Sequence, residues 1–190
     1  MSALLSQINN SIAAKKSLLS IEKEINKSIK IIAKSIKSGG KIMLCGNGGS
    51  AADAQHLAAE FLIRLRPHVN RKPIPAITLA TDISSLTACG NDYSFEEIFS
   101  RSLEALGSKK DVLIVITTSG NSQNILNALK VAKKKQIKSI CFLGNEGGKA
   151  KKLGDVRLIV KEKNTARIQE CHIFLGHYIF EKVEDIIIKK

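Results

Sequence analysis

The chain has no tryptophan, only two tyrosines and three prolines among its 190 residues. So thin an aromatic supply leaves no basic stripe interleaved with rings on which bases would stack, and no nucleic-acid partner is expected. No apolar run approaches the roughly 18–20 residues of a membrane span, so no membrane partner is expected either. The amino-terminal stretch MSALLSQINNSIAAKK has neither the basic start nor the unbroken apolar core of a secretory signal, which predicts a cytoplasmic location. Cys45, Cys89, Cys141 and Cys171 lie far apart with no C-x-x-C pair. They read as reduced, small, buried side chains, and none is a candidate nucleophile. Acidic residues are scarce as well: 17 Asp and Glu stand against 30 Lys and Arg, a formal net charge of +13. The densest basic runs, Lys133-Lys134-Lys135 and Lys189-Lys190, fall at predicted helix ends, where cations suit the dipole. A solvated basic surface able to steer anionic ligands accounts for them.

What is present is enough for one globular domain covering 1–190: 44% of the residues are apolar and 25% charged. Ile21, Ile25, Ile29, Ile32 and Ile36 recur at helical spacing, and Ile8 and Ile12 extend the pattern upstream. The pattern predicts a long amino-terminal helix over about 1–38, ended by Gly39-Gly40. Five short apolar runs then alternate with helical stretches: KIMLC (41–45), PAITLA (75–80), VLIVIT (112–117), SICFL (139–143) and VRLIV (156–160). Helices are predicted over 50–65, in segments of 83–106, over 122–135 and over 165–189, with a short turn at 149–153. Strands of this kind belong to a parallel sheet covered on both faces. The fold class is therefore α/β, doubly wound, with an extra helix at each end, and ligands are expected at the carboxyl ends of the strands.

Three strand-end loops carry candidate chemistry. Cys45-Gly46-Asn47-Gly48-Gly49-Ser50 lets a ligand approach peptide N–H groups at a helix start, or serves as a tight turn with Ser50 as N-cap. Thr117-Thr118-Ser119-Gly120-Asn121-Ser122 offers four hydroxyls in six residues, suited to a phosphate, where one cap would need one hydroxyl. The stretch 81–92 ends in Gly90-Asn91-Asp92, which are turn residues or partners for sugar hydroxyls.

Two helices add metal-type side chains. His56 and Glu60 are four apart, so they share a helix face and can hold a divalent cation, or form a plain exposed pair. The last helix sets Arg167, Gln169, Glu170, His172 and His177 among apolar residues, a polar seam that must be paired or bind something. Gln169 and His177 lie about 12 Å apart along a straight helix and about 80° around it. They can hardly grip one ion from the same helix, which argues for an oligomer whose sites draw them from different subunits.

The segments CGNGGSAADAQHLAAEF, TACGNDYSFEEIFSR, TTSGNS and TARIQECHIFLGH, in this order along almost the whole chain, resemble the phosphoheptose isomerases of the sugar-isomerase (SIS) domain group. The resemblance implies a flavodoxin-like five-stranded parallel sheet, a homotetramer and interfacial sites holding one zinc ion each. It implies interconversion of sedoheptulose 7-phosphate and D-glycero-D-manno-heptose 7-phosphate, the entry to bacterial heptose for surface polysaccharide. By the same match, His56, Glu60, Gln169 and His177 are metal ligands. Asn47, Gly48, Gly49, Glu60, Asn91, Asp92, Thr117, Thr118, Ser119, Ser122 and Gln169 are substrate-binding positions. Thr117 replaces a serine found in many members, Ala166 an aspartate found in some, and Ile63 a residue that is usually small. An aldose–ketose isomerase moves a proton between C1 and C2 through an enediol, and Glu60 with His177 is the expected acid–base pair. The rival expectation is a non-catalytic SIS-domain regulator that binds a sugar phosphate or the replication initiator. Relatives of that kind lack the residues matching Glu60 and His177.

Overall fold

The computed structural model describes residues 2–79 and 82–188. The predicted strand end at Ala80, the start of the second loop at Thr81 and the Lys189-Lys190 pair lie outside them.

Near-continuous apolar runs form five parallel strands: β1 (Ile42–Gly46), β2 (Ala76–Thr78), β3 (Val112–Thr117), β4 (Lys138–Gly144) and β5 (Val156–Val160). They pair in the order β2-β1-β3-β4-β5, with Leu44 between Thr78 and Ile114. This is the flavodoxin-like topology. Every residue of β1 and β3 is buried, as expected of strands covered on both faces. Alternation divides them. Ile42, Leu44, Ile114 and Ile116 join the core formed with α2 (Glu22–Lys37), α3 (Gly49–Ala59) and α7 (Thr165–Ile188). Met43, Cys45, Leu113 and Val115 join the one formed with α5 (Ile98–Leu106) and α6 (Gln123–Lys134). The chain leaves β1 for α3 on one face and β3 for α6 on the other. A crevice therefore opens between their carboxyl ends, the switch point where doubly wound sheets bind ligands.

Two expectations are corrected. The single amino-terminal helix is two, α1 (Ala3–Ser17) and α2, joined by a 3₁₀ turn at Leu18–Ile21. Ser17 and Ser20 turn their hydroxyls back onto the carbonyls of Ala14 and Ser17, at 2.7 and 2.8 Å, competing with the helical ladder where Leu18 turns inward. The second loop is largely helix, α4 (Ile83–Asp92), because the Asp82 carboxylate caps it by accepting from the Ser84 and Ser85 N–H groups. The polar seam of α7 is partly paired: Glu170 accepts from Arg167 and from Ser11 of α1, while neither ring nitrogen of the fully buried His172 makes a hydrogen bond of good geometry among the described residues.

Candidate active site at the carboxyl ends of β1 and β3

Gly48, at φ +56°, turns the chain from β1 into α3, and no side chain caps the helix. Ser50, expected as the cap, is instead inside the first turn and buried. Helix α6 also begins without a side-chain cap, since Ser122 occupies the N-cap position but its hydroxyl makes no capping bond. Two helix starts without a side-chain capping bond thus lie at the same switch point, an arrangement favourable to an anion.

The hydroxyl loop is fixed by its backbone. Thr117 Oγ1 accepts from the Gly120 N–H and Ser119 Oγ from the Asn121 N–H, both at 3.2 Å. Gly120, at φ +66°, lets the loop lie against Gly147, and the loop after β4 braces it: Asn145 Nδ2 donates to the Thr118 carbonyl at 3.1 Å, and Asn121 Oδ1 accepts from the Lys149 N–H at 3.0 Å. None of the four hydroxyls, on Thr117, Thr118, Ser119 and Ser122, donates to a protein acceptor among the described residues. Their protons are not committed to a protein acceptor there.

The side chain of Asn47 is locked to Asn124 of α6 by reciprocal amide bonds of 3.0 and 2.9 Å. Asn124 is buried and also accepts from the Ile125 N–H. It escaped the sequence reading; its signal was a lone amide on the apolar face of α6. Asn91 and Asp92 end α4 exposed, with Asn91 Nδ2 donating to Asp92 Oδ1 at 2.8 Å, and among the described residues no hydrogen bond ties them to the other candidates.

Farther along, α3 and α7 lie side by side in parallel. Gly49 faces Gln169, Leu57 faces Gly176, and Phe61 stacks on Phe180 with ring centroids 3.6 Å apart. That register brings His177 to His56. Their Nε2 atoms are 2.8 Å apart, and Glu60 Oε1 lies 3.2 Å from His56 Nε2. Two imidazole nitrogens and a carboxylate oxygen converge within 4.8 Å of one another. Two facing ring nitrogens and an anionic oxygen are a donor set that fits zinc. Gln169 is elsewhere: its Nε2 would lie 2.6 Å from a Cβ placed on Gly49. Within one chain His177 joins His56 and Glu60, while Gln169 overlies the glycine loop.

The SIS domain family matches residues 8–144. The phosphoheptose isomerase of Clostridium acetobutylicum is 49% identical over 182 residues, 94% of this chain and 91% of the relative. The chain belongs to the phosphoheptose isomerase family of SIS domains. Its fold agrees with that of the solved phosphoheptose isomerases from Francisella tularensis (TM-score 0.91, 35% identity, 97% of this chain and 100% of that one) and Neisseria gonorrhoeae (TM-score 0.89, 39% identity, 96% and 97%).

Electrostatics at this phosphoheptose isomerase-type site are uneven. Burial, with help from the neighbouring His56, holds the His177 imidazole below its usual pKa, against the pull of Glu60 and Glu181. Burial raises the Asp53 carboxyl above its usual range while His56 lowers it, and its Oδ2 has no hydrogen-bond partner among the described residues. Asp53 too escaped the sequence reading, though it stands three residues before His56, where a helix places it on the same side. Three of the four cysteines are buried as expected, Cys45, Cys141 and Cys171, and burial pushes Cys141 up to about 12 and Cys171 to about 11, whereas Cys89 is only partly buried. Ile63 is 77% exposed, and Ala166 is exposed in the first turn of α7. No described helix is long and apolar enough to cross a membrane.

Proposed function

We propose that the protein is an aldose–ketose isomerase converting sedoheptulose 7-phosphate to D-glycero-D-manno-heptose 7-phosphate. Family membership over nearly the whole chain gives the reaction class. The observation that carries the reading in this molecule is the convergence of His56, Glu60 and His177, two of them on the helix that starts uncapped after β1. The regulator reading is not favoured, because both residues that such relatives lack are present and adjacent.

The hydroxyls of Thr117, Thr118, Ser119 and Ser122, with the amides at the start of α6, hold the phosphate. That remote anchoring turns binding energy into placement of the reacting carbons. Asn47, Gly48 and Gly49, with Gln169 above them, meet the sugar hydroxyls, and Asn91 and Asp92 reach the sugar from the end of α4. His56, Glu60 and His177 would hold a zinc ion, with Gln169 of another subunit as fourth ligand, since a chain's own Gln169 stands over Gly49. When bound, zinc polarises the carbonyl and the adjacent hydroxyl. Glu60 and His177 carry the proton between C1 and C2. Burial lowers the His177 pKa and so disfavours its charged form.

Sites shared between subunits require an oligomer, and a homotetramer is part of this reading. Leu4, Leu5, Ile8 and Ile12 of α1 are 45–71% exposed in the single chain, an apolar stripe suited to burial against a second copy. A cytoplasmic location follows from a substrate whose charged phosphate does not enter a bilayer unaided.

The test is isotope exchange at C1 and C2 of sedoheptulose 7-phosphate by zinc-loaded protein. Glu60→Gln and His177→Asn should each slow exchange by about 10²–10⁴-fold. Wild-type exchange in both variants ends the acid–base assignment, and turnover of a different ketose phosphate alone corrects the substrate.

A further inference from the structure

The helix that carries Glu60 does not stay α-helical. At Glu60 it widens into a π-helical stretch, Glu60–Arg64, before the chain leaves for β2. Such widenings are rare, recur at functional sites, and need outside partners for the carbonyls they displace. One side chain supplies them. Arg71 donates from Nη2 to the Glu60 carbonyl at 2.8 Å and from Nη1 to the Phe61 carbonyl at 2.9 Å, with a weaker bond to the Lys72 carbonyl at 3.1 Å. The Ile74 N–H adds a second bond to the Phe61 carbonyl at 3.0 Å.

Arg71 is held in turn by α7. Its Nε donates to Glu184 Oε1, and the other oxygen of that carboxylate accepts from Arg66 Nε at 2.6 Å. The side chains of Arg71 and Glu184 are 4% and 1% exposed. Burying such a pair costs desolvation that its attraction only partly offsets, so stability alone is a weak reason for it. Geometry is a better one. The flat guanidinium ties the backbone of the residue bearing one ligand-type carboxylate to the helix bearing His177, seven residues before Glu184.

We propose that Arg71, aimed by Glu184, is a positioning residue: it fixes the π turn so that the Glu60 carboxylate stands against His56 and His177. Arg71 acts on the main chain of Glu60 and never meets the substrate. The role rests on the isomerase reading above, in which Glu60 both holds the metal and moves the proton.

The experiment uses the full chain with zinc, comparing wild type with Arg71→Lys, which keeps the charge but loses the planar fork. Zinc affinity is measured by competition with a chromophoric chelator, and kcat and KM are measured separately. The control for a merely mechanical partner of Glu184 is Arg66→Gln, since the Arg66 side chain pairs with Glu184 and Asp185 and, among the described residues, donates to no carbonyl of the π turn. The expected result for folded Arg71→Lys is zinc affinity weakened about 10–100-fold and kcat lowered with KM nearly unchanged, because the phosphate loop is remote. Arg66→Gln should lower the melting temperature and leave zinc affinity within about twofold of wild type, a margin far inside the 10–100-fold loss. Unchanged zinc affinity and kcat in folded Arg71→Lys, or equal losses in Arg66→Gln, overturn the role. Should Arg71→Lys not fold, Glu184→Met, close in size but without an acceptor for Arg71 Nε, must show the same loss of zinc affinity, and wild-type affinity there overturns the role too. Wild-type protein that binds no zinc sinks the isomerase reading together with this one, whereas zinc held equally well by wild type and variant sinks only the positioning role.

Discussion

The two ends of the α3–α7 pair do different work by different means. At the upper end, Gly49 meets Gln169 and the surface is mainly backbone: uncapped helix starts and a glycine turn, with hydroxyls from the next strand end. At the lower end, His56, Glu60 and His177 meet through side chains, and the helix must widen and be clasped by Arg71 to place them. Backbone sites come ready-made wherever a strand runs into a helix. Side-chain sites depend on the register of two helices and on every group that fixes it. The lower end should therefore be the more sensitive to changes made at a distance.

The largest effect expected in tests of this contrast comes from acid. His172 lies on α7 between the two ends but faces the sheet, near Phe142, and burial lowers its pKa to about 4, opposed by the nearby Leu143 carbonyl. A histidine buried neutral contributes its full stability above its unfolded pKa of about 6.5. That contribution is lost as pH falls from there towards 4, up to about 3 kcal/mol. Urea unfolding from pH 7.5 to 4.5 should show the loss, and His172→Leu should flatten it. An unchanged slope in the variant would mean that other groups govern the acid transition.

Next in size is Gly176→Ala. A Cβ there would lie 2.5 Å from both Cδ atoms of the fully buried Leu57, forcing the helices apart at that level. A loss of about 1–3 kcal/mol is expected, with zinc affinity falling more than substrate affinity. Thermal melts and metal titration check it, and equal losses at both ends would erase the distinction. The smallest effect belongs to Ser122→Ala. Because that hydroxyl does not cap α6, stability should stay within about 0.5 kcal/mol. KM should rise about tenfold, as expected when one hydrogen bond to a charged phosphate is lost. A stability loss without a change in KM would return Ser122 to an ordinary structural role.

Much of the frame was readable from residue order. The five apolar runs became five strands within one or two residues, because a sheet buried on both faces needs unbroken apolar segments. The glycine and hydroxyl loops announced themselves by composition at strand ends. The joint at Leu18–Ile21 did not, since the isoleucine spacing runs through it and the serine hydroxyls that compete there are common in helices. Asp82 as the cap of α4 was legible in principle, but the glycine, asparagine and aspartate that end the stretch read more strongly as turn residues. Asn124 and Arg71 were hidden for another reason. Each matters through a partner 77 or at least 10 residues away, and nothing in its own neighbourhood reveals it.

By itself, the sequence determined the class of sheet, the two anion-favouring turns and the family, because these depend on periodicity and on short contiguous motifs. Only the tertiary structure decided that His177 meets His56 and Glu60 within one chain while Gln169 does not, and that Glu60 opens a π turn held by Arg71. Those outcomes depend on how two helices distant in sequence settle against each other, where one turn of sliding would part the carboxylate from the imidazoles.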